Sequence, residues 1–300
     1  MNKKPLISDR QKLGRILKET GLKRSDLARR LEVGYKTVYR WLDRGVQPHP
    51  AQSRDINELF KDTVDLVPSV LSLRKTFKDP ATLLRKNEKI RERFFLEMTY
   101  HSNAIEGSRM TLRETEKVLG GKNVKGRELF EILEVTNHKN ALAYLMEKVS
   151  LGFRINEAFL LRLHEIVMTG FENKLPGRYR TGSVYLSNTD IRLPSAQEVP
   201  FQMRKLLKAV NRYGKNPVQK IALDHYDFEA AHPFFDGNGR VGRLLSAAQL
   251  LSCGFAPALV TVGERYNYYM ALSKADHGDS RNIVQMFCQS ILRGYEILEK

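Results

Sequence analysis

Residues 232–243 read HPFFDGNGRVGR, and this run decides how the surrounding chain folds. Before it, Ala222, His225, Phe228 and Ala231 recur on one helical face; after it, Val241, Leu244, Leu245, Ala248 and Leu251 recur on another. The run is therefore a loop between two helices. Gly237 and Gly239 permit positive φ and lack the Cβ atoms that would block close approach of a ligand. The first N–H groups of the second helix form an anion nest at the positive end of its dipole. Arg240 and Arg243 add guanidinium forks that match phosphate oxygens. Asp236 is the odd acid among these donors, and a carboxylate beside bound phosphates is what Mg²⁺ requires. His232, ending the first helix, is placed to serve as a general base near neutral pH. Together these residue types fit a loop that holds a nucleoside triphosphate and deprotonates a group beside it. A plain helix-loop-helix corner, with His232 as a cap, is the simpler alternative.

The chain around the loop has 300 residues, enough for one large core with a small appended module. Lys and Arg number 50 against 34 Asp and Glu, a net charge of +16, so some face attracts polyanions or an acidic partner. Two cysteines, Cys253 and Cys288, both inside apolar-periodic segments, argue against a disulfide framework and for a reducing compartment. The opening MNKKPLISDRQK lacks an apolar run and no stretch reaches the length of a membrane span, so the expectation is a soluble, cytoplasmic protein that does not engage a membrane. Helical spacing runs through most of the sequence, as in Leu133, Ala141, Tyr144, Leu145 and Val149. Turn signals fall at 78–80, 120–121, 176–177 and 214–217. The exception is 177–200, where Val184-Tyr185-Leu186, a polar turn and Ile191-Arg192-Leu193 predict a small β-hairpin over 183–194.

The complete run from His232 to Arg243 resembles the Fic family motif HPFx(D/E)GNGRxxR at every specified position, and the resemblance extends from about residue 95 to the C-terminus. It implies a mainly helical enzyme, all-α with a hairpin flap, of a kind that commonly transfers AMP from ATP to a hydroxyl of a target protein. His232 would then take the proton of a target Ser, Thr or Tyr, and Asp236 would hold Mg²⁺. Gly237, Asn238, Gly239 and Arg240 would line the phosphates, with the side chain as well as the backbone of Asn238 taking part, and Arg243 would meet the γ-phosphate. Phe234 would anchor the loop, and the hairpin at 183–194 would clamp the target by strand addition. By the same analogy Tyr266 and Asn267 are candidates for the adenine side.

Upstream, Ser102-Asn103-Ala104-Ile105-Glu106-Gly107 resembles the inhibitory motif (S/T)xxxE(G/N) of one subclass of that family. A carboxylate delivered to Arg243 would fill the place of a γ-phosphate and leave ATP in a pose unsuited to in-line attack. Glu106 is thus the expected brake, with Ser102 bracing it one turn earlier. In some relatives the equivalent Glu also supports removal of AMP from the target.

The first sixty residues hold 14 Lys/Arg and 7 Asp/Glu, a net +7. Within KRSDLARRLEVGYKTVYRWLDRG, residues 23–45, Ser25 is placed to cap a short helix with Leu27, Ala28 and Leu31 inward. Glu32-Val33-Gly34 turn the chain, and Thr37, Val38 and Trp41 line the inner face of a second helix. Tyr35, Lys36, Tyr39 and Arg40 are left facing outward, where they would reach a major groove. The spacing resembles the repressor-type helix-turn-helix; specific DNA binding of that type takes two half-sites and implies a dimer. A small helical protein-interaction module is the alternative.

The expected organisation is a helix-turn-helix module over 1–62, a helical connector over 63–94 and a Fic core over 95–300. The expected activity is an autoinhibited, Mg²⁺-dependent protein adenylyltransferase. Its rivals are a DNA-binding regulator whose core senses nucleotide, and an enzyme moving another nucleotidyl group. His49, His101, His138, His164, His225 and His277 show no metal-ligand spacing and are assigned to core or surface, with His225 nearest the site.

Overall fold

A computed structural model of the chain describes residues 7–185 and 193–299. Among the described residues there are fifteen α-helices, two short 3₁₀ turns and no strand. The central residues of the hairpin expected at 183–194 lie outside the described residues; its flanks, 183–185 and 193–194, are irregular.

The chain divides into two compact units, Met1–Pro68 and Ser69–Lys300. In the first, α1 (Asp9–Thr20) packs along α4 (Pro50–Thr63), and α2 (Arg24–Arg30) packs on α3 (Tyr35–Leu42). Ser8 and Gln11 form a capping box that starts α1, and Gly21 at φ 69° ends it. Leu13, Ile16, Leu27, Val38, Trp41, Ile56 and Phe60 close the small core. Ser25 does not cap α2: Lys23 occupies the N-cap without a side-chain bond, which moves Ser25 inside the helix. In the turn that follows, Glu32 takes the left-handed conformation at φ 52°, while Gly34 is the extended N-cap of α3. Trp41, Val38 and Leu42 are buried, Thr37 is only half-buried, and Tyr35, Lys36, Tyr39 and Arg40 are exposed. Arg24 and Asp43 form an ion pair at 2.7 Å across the two helices.

The second unit holds most of α5 (Val67–Thr76), then α6 (Pro80–Lys86), α7 (Glu88–Ile105), α8 (Leu112–Leu119), α9 (Leu129–Lys148) and α10 (Glu157–Val167). After the undescribed segment come α11 (Val199–Ala209), α12 (Pro217–Ala231), α13 (Asn238–Ser252), α14 (Arg265–Asp276) and α15 (Arg281–Leu298). Three of the four turn signals fall at α-helix ends and 176–177 lies in a separate turn: Asp79 and Asn216 cap α6 and α12, each followed by Pro at the first helical position, and Gly120 ends α8. The expected break at 94/95 falls inside α7, which runs without interruption from Glu88 because Asn87 caps it. Cys253 and Cys288 are buried, and no disulfide joins them.

At the centre lies α13, enclosed by α7, α9, α10 and α12, with every residue but Gly239 buried. That burial accounts for the largely apolar run from Leu244 to Leu251, whose two polar side chains, Ser246 and Gln249, are both buried and hydrogen-bonded. It also fixes where the N-terminus of α13 points, because a helix held on four sides cannot turn about its axis.

Candidate active site

The loop quoted at the outset closes between α12 and α13. His232 ends α12 in the left-handed conformation at φ 41°, rare for a residue with a Cβ. Arg180, almost fully buried, supports it: its backbone N–H donates to Pro233 O at 2.9 Å and its Nε to His232 O at 2.8 Å. The rest of the guanidinium donates to the carbonyls of Gly182 and Pro194, on the two sides of the undescribed segment. Burial keeps the His232 ring below the ordinary histidine pKa, with the charge on Arg180 adding to the effect. The Glu229 carbonyl and the carboxylates of Glu106 and Asp236 act against it. A neutral imidazole at pH 7 is the form that accepts a proton.

Phe234 is wholly buried and anchors the loop. The His164 ring stacks on it at 3.6 Å and 5°, and Tyr179 at 5.7 Å. Gly177 N–H donates to His164 Nδ1 at 3.0 Å, so the His164 proton sits on Nε2 and is donated to Asp236 O at 3.2 Å. Burial holds His164 at about 4, uncharged. The side chain of Asn238 also clamps the loop: Oδ1 accepts from Phe234 N and Nδ2 donates one hydrogen to Phe234 O, both at 2.9 Å. This clamping role stands beside the one expected for Asn238 at the phosphates.

Gly237, at φ 77°, is the N-cap of α13, and a Cβ there would stand 2.8 Å from Met168 Sδ. Gly239 has a different constraint: a Cβ there would collide with Glu106 Oε1 and stand 3.0 Å from Arg243 Nη1. The carboxylate of Glu106 therefore rests on the first turn of α13, where helix dipole and open N–H groups favour an anion. Arg243 Nη2 pairs with Glu106 Oε1 at 2.7 Å and donates to Ser102 O at 2.9 Å, while its Nε donates to Ser102 Oγ at 3.0 Å. Burial acts to lower the Arg243 pKa, but Glu106, Tyr268 and Glu229 overcome it and the group stays charged. Tyr269 holds the same turn through a 3.4 Å bond to Ile105 O.

Arg240 spans the mouth of the loop, pairing with Glu134 at 3.0 Å and Asp236 at 3.1 Å. Asp236 Oδ1 also accepts from Gly237 N. Among the described residues no group of three or more His, Cys, Asp or Glu could hold a metal. The remaining candidates fall further off. Tyr266 is 74% exposed and Asn267 half-buried, while their neighbour Tyr268 is buried beneath Arg243, ring to guanidinium 5.9 Å. Sequence reasoning missed Arg180, His164, Glu134, Glu229 and Tyr268. For Tyr268 a signal existed, its helical register with Ala271 and Ala275; for Arg180 there was none beyond a basic residue before the expected hairpin.

A helix N-terminus bearing an anion, a buried arginine and a histidine in one loop is now in view, and comparison with known proteins agrees. Residues 154–250 match the Fic/DOC family. The Fic match takes in His164, Arg180 and the whole loop, but not Glu106. Protein adenylyltransferase Fic of Nematostella vectensis is 35% identical over 223 residues, 70% of this chain and 50% of that protein. Protein adenylyltransferase fic-1 of Caenorhabditis elegans is 32% identical over 231 residues, 73% of this chain and 44% of that protein. The chain spans about half the length of the curated relatives it matches. Among solved structures, a Fic-1 fragment from C. elegans superposes with a TM-score of 0.68 at 27% identity, over 88% of this chain and 80% of that one. A Fic-domain signaling protein from Bacteroides thetaiotaomicron shares the fold, with a TM-score of 0.69 at 22% identity over 78% of this chain and 96% of that one. No helix among the described residues is long and apolar enough to cross a membrane.

Proposed function

We propose that this chain is an autoinhibited protein adenylyltransferase, using ATP to place AMP on a Ser, Thr or Tyr hydroxyl. The observation that carries the proposal is Glu106 paired to Arg243 on the first turn of α13, in the same loop as His232. In this reading the phosphates of ATP lie along the N–H groups of Gly237, Asn238 and Gly239, and Arg243 takes the γ-phosphate. The target hydroxyl oxygen bonds to the α-phosphorus as the α–β anhydride bond breaks. Its proton passes to His232, and pyrophosphate leaves. Arg180 holds His232 by its carbonyl and both flanks of the 186–192 segment by theirs, so the base and the place where a target strand would be clamped share one support.

Asp236 is the residue suited to hold Mg²⁺. One carboxylate oxygen is engaged by Arg240 and Gly237, and the side chain is 44% exposed. A lone carboxylate matches an ion whose other ligands are phosphates and water, and the bound ion would neutralise charge on the triphosphate. With Glu106 seated, its carboxylate holds the place of the γ-phosphate, and ATP binds out of line. Incubating Glu106→Gly with ATP and target proteins, then searching for AMP adducts by mass spectrometry, tests the reading. Adducts that vanish in Glu106→Gly/His232→Ala support it, and their absence from both overturns it.

A second reading concerns the first unit. We propose that α3 docks in a DNA major groove through Tyr35, Lys36, Tyr39 and Arg40. These side chains are exposed on one face of α3 while Val38, Trp41 and Leu42 are buried on the other. Two half-sites would require a dimer of the chain.

A further inference from the structure

Arg243 is a buried cation whose hydrogen bonds to Ser102 and Glu106 all run to the last turn of α7. If Glu106 withdraws so that ATP can bind, those partners are weakened together. A buried guanidinium without a counter-charge is costly, so the open state needs another anion close by. The fold supplies one carboxyl group that the proposed reaction does not use. Glu229 lies on α12, three residues before His232, with its side chain 13% exposed and its Oε1 shut off from solvent without a hydrogen-bond partner. A Cβ on Gly242 would collide with that same oxygen, so the carboxyl group lies against α13 at the residue before Arg243, near enough for the two charges to act on each other. Arg243 Nη1 is likewise buried without a partner.

We propose that Glu229 is a positioning residue for Arg243, acting as its counter-charge when neither Glu106 nor the γ-phosphate is in place. The inference rests on the reading of Arg243 as the γ-phosphate residue. Arg243 would then always face one ionised partner: Glu106 in the inhibited state, Glu229 in the open empty state, phosphate in the loaded state. Glu229 gives up its proton when Glu106 leaves and takes one back when ATP arrives.

The groups facing Glu229 are consistent with such an exchange. From α12, His225 Nε2 stands 3.8 Å from Oε1. That imidazole is uncharged, held by burial and the nearby Arg243 at about 3. It accepts from Tyr268 OH at 2.8 Å, with Ser246 Oγ on its Nδ1 at 3.1 Å and in turn donating to Gly242 O. From α13 comes Arg243, from α7 Glu106 and from α14 Tyr268, whose burial pushes its phenol up and keeps it neutral. Phe287 of α15 adds no charge. Burial, opposed by Arg243 and by hydrogen bonding with Tyr268 and aided by Glu106, pushes Glu229 to about 8 while Glu106 is seated. Removing the Glu106 charge lowers that value, and a γ-phosphate raises it again. ATP affinity of the open form should therefore fall as pH rises through this range.

The test is nucleotide binding, so that a protein which binds ATP but transfers nothing would sink the transferase reading and leave this inference to its own result. In Glu106→Gly, calorimetry in two buffers of different ionisation enthalpy should show proton uptake near pH 7.5 with ATP and none with AMP, which does not reach Arg243. ATP affinity should drop about tenfold between pH 6.5 and 9, one unit of pKa difference. In Glu106→Gly/Glu229→Gln it should stay within about twofold over that span, the uptake being absent. Equal proton uptake with ATP and AMP, or an unchanged pH dependence in the double variant, would overturn the proposal. The uptake measurement leaves Glu229 intact, so it stands even if the Gln variant folds poorly.

Discussion

Arg243 and Glu106 lie 137 positions apart in sequence and 2.7 Å apart in space, joining the end of α7 to the second turn of α13. Ser102 completes the clamp through Oγ on Arg243 Nε. Removing only the hydroxyl, in Ser102→Ala, deletes one bond to a charged group and leaves the carboxylate in place. Transfer activity should rise by about three- to tenfold, well short of Glu106→Gly, because hydrogen bonds to charged groups contribute on the order of 1.5–3 kcal/mol and part of that is regained through water. Initial rates of AMP incorporation for the two variants and wild type decide this; no difference between Ser102→Ala and wild type would remove Ser102 from the brake.

His232 is expected to act as the base. In the Glu106→Gly background, His232→Ala should lower transfer by roughly 10²–10⁴-fold while ATP binding stays within a few-fold, the range for loss of a general base. Burial holds the ring below the ordinary histidine pKa, so at saturating ATP the rate should fall only on the acid side, as pH drops through that depressed value and the imidazole gains a proton. A rate that rises toward acid would contradict the assignment.

Arg180 makes its side-chain bonds to three carbonyls, those of His232, Gly182 and Pro194. Arg180→Lys keeps the charge but cannot reach all three acceptors. The expected result is a loss of kcat on the order of tenfold or more with KM for ATP little changed, since misplacement of a base near 1 Å carries penalties of up to 10²-fold. A rise in KM for ATP at constant kcat would instead place Arg180 in nucleotide binding.

Three buried imidazoles set the acid limit of the second unit. Burial, with Arg243 and Arg240 adding to it, holds His138 at about 3; burial outweighs the Asp236 carbonyl and carboxylate to hold His164 at about 4, and burial together with Arg243 holds His225 at about 3. Unfolded histidine takes its proton near 6.5, so below that pH the unfolded chain binds more protons than the folded one, and stability falls as pH falls. The slope approaches about 1.4 kcal/mol per pH unit for each imidazole. Urea midpoints measured at pH 7, 6 and 5 should decline steadily; a flat profile would mean that these rings ionise inside the folded protein.

For the first unit, Lys36→Ala and Arg40→Ala should each weaken DNA association and flatten its dependence on salt by about one counterion. Titration of fluorescent duplex DNA at several salt concentrations gives both quantities. Absence of any salt-dependent association would reject the docking face.

The loop between two helices was legible because HPFFDGNGRVGR sits between two apolar-periodic runs and packs histidine, acid, glycines and arginines into one local stretch. The placement of Glu106 was legible only through a resemblance, since nothing in a Ser-to-Glu spacing states which helix it will meet. What escaped was non-local. Arg180 meets carbonyls at 182, 194 and 232; His164 stacks on a ring 70 positions away; Tyr268, on a helix that packs against α15, meets Arg243 across 25 positions. Such contacts depend on how helices cross, and a helix face shows only that a side chain is inward. Ser25 was misread for a local reason: Lys23 already has the extended backbone of an N-cap, so the helix begins two residues earlier than the serine requires. For Asn238 the clamp went unread, because an amide beside glycines fits a phosphate cradle and a loop clamp equally well; its bonds to Phe234 add the second.

The most direct test of the autoinhibited transferase is label transfer from ATP carrying ³²P at the α or the γ position. Wild type, Glu106→Gly and Glu106→Gly/His232→Ala are compared, each alone and with cell lysate. The expected result is protein-bound α label with Glu106→Gly, little with wild type, none with the double variant, and no γ label with any of them. Label from the γ position, or α label equal in wild type and Glu106→Gly, would contradict nucleotidyl transfer held in check by the Glu106–Arg243 pair.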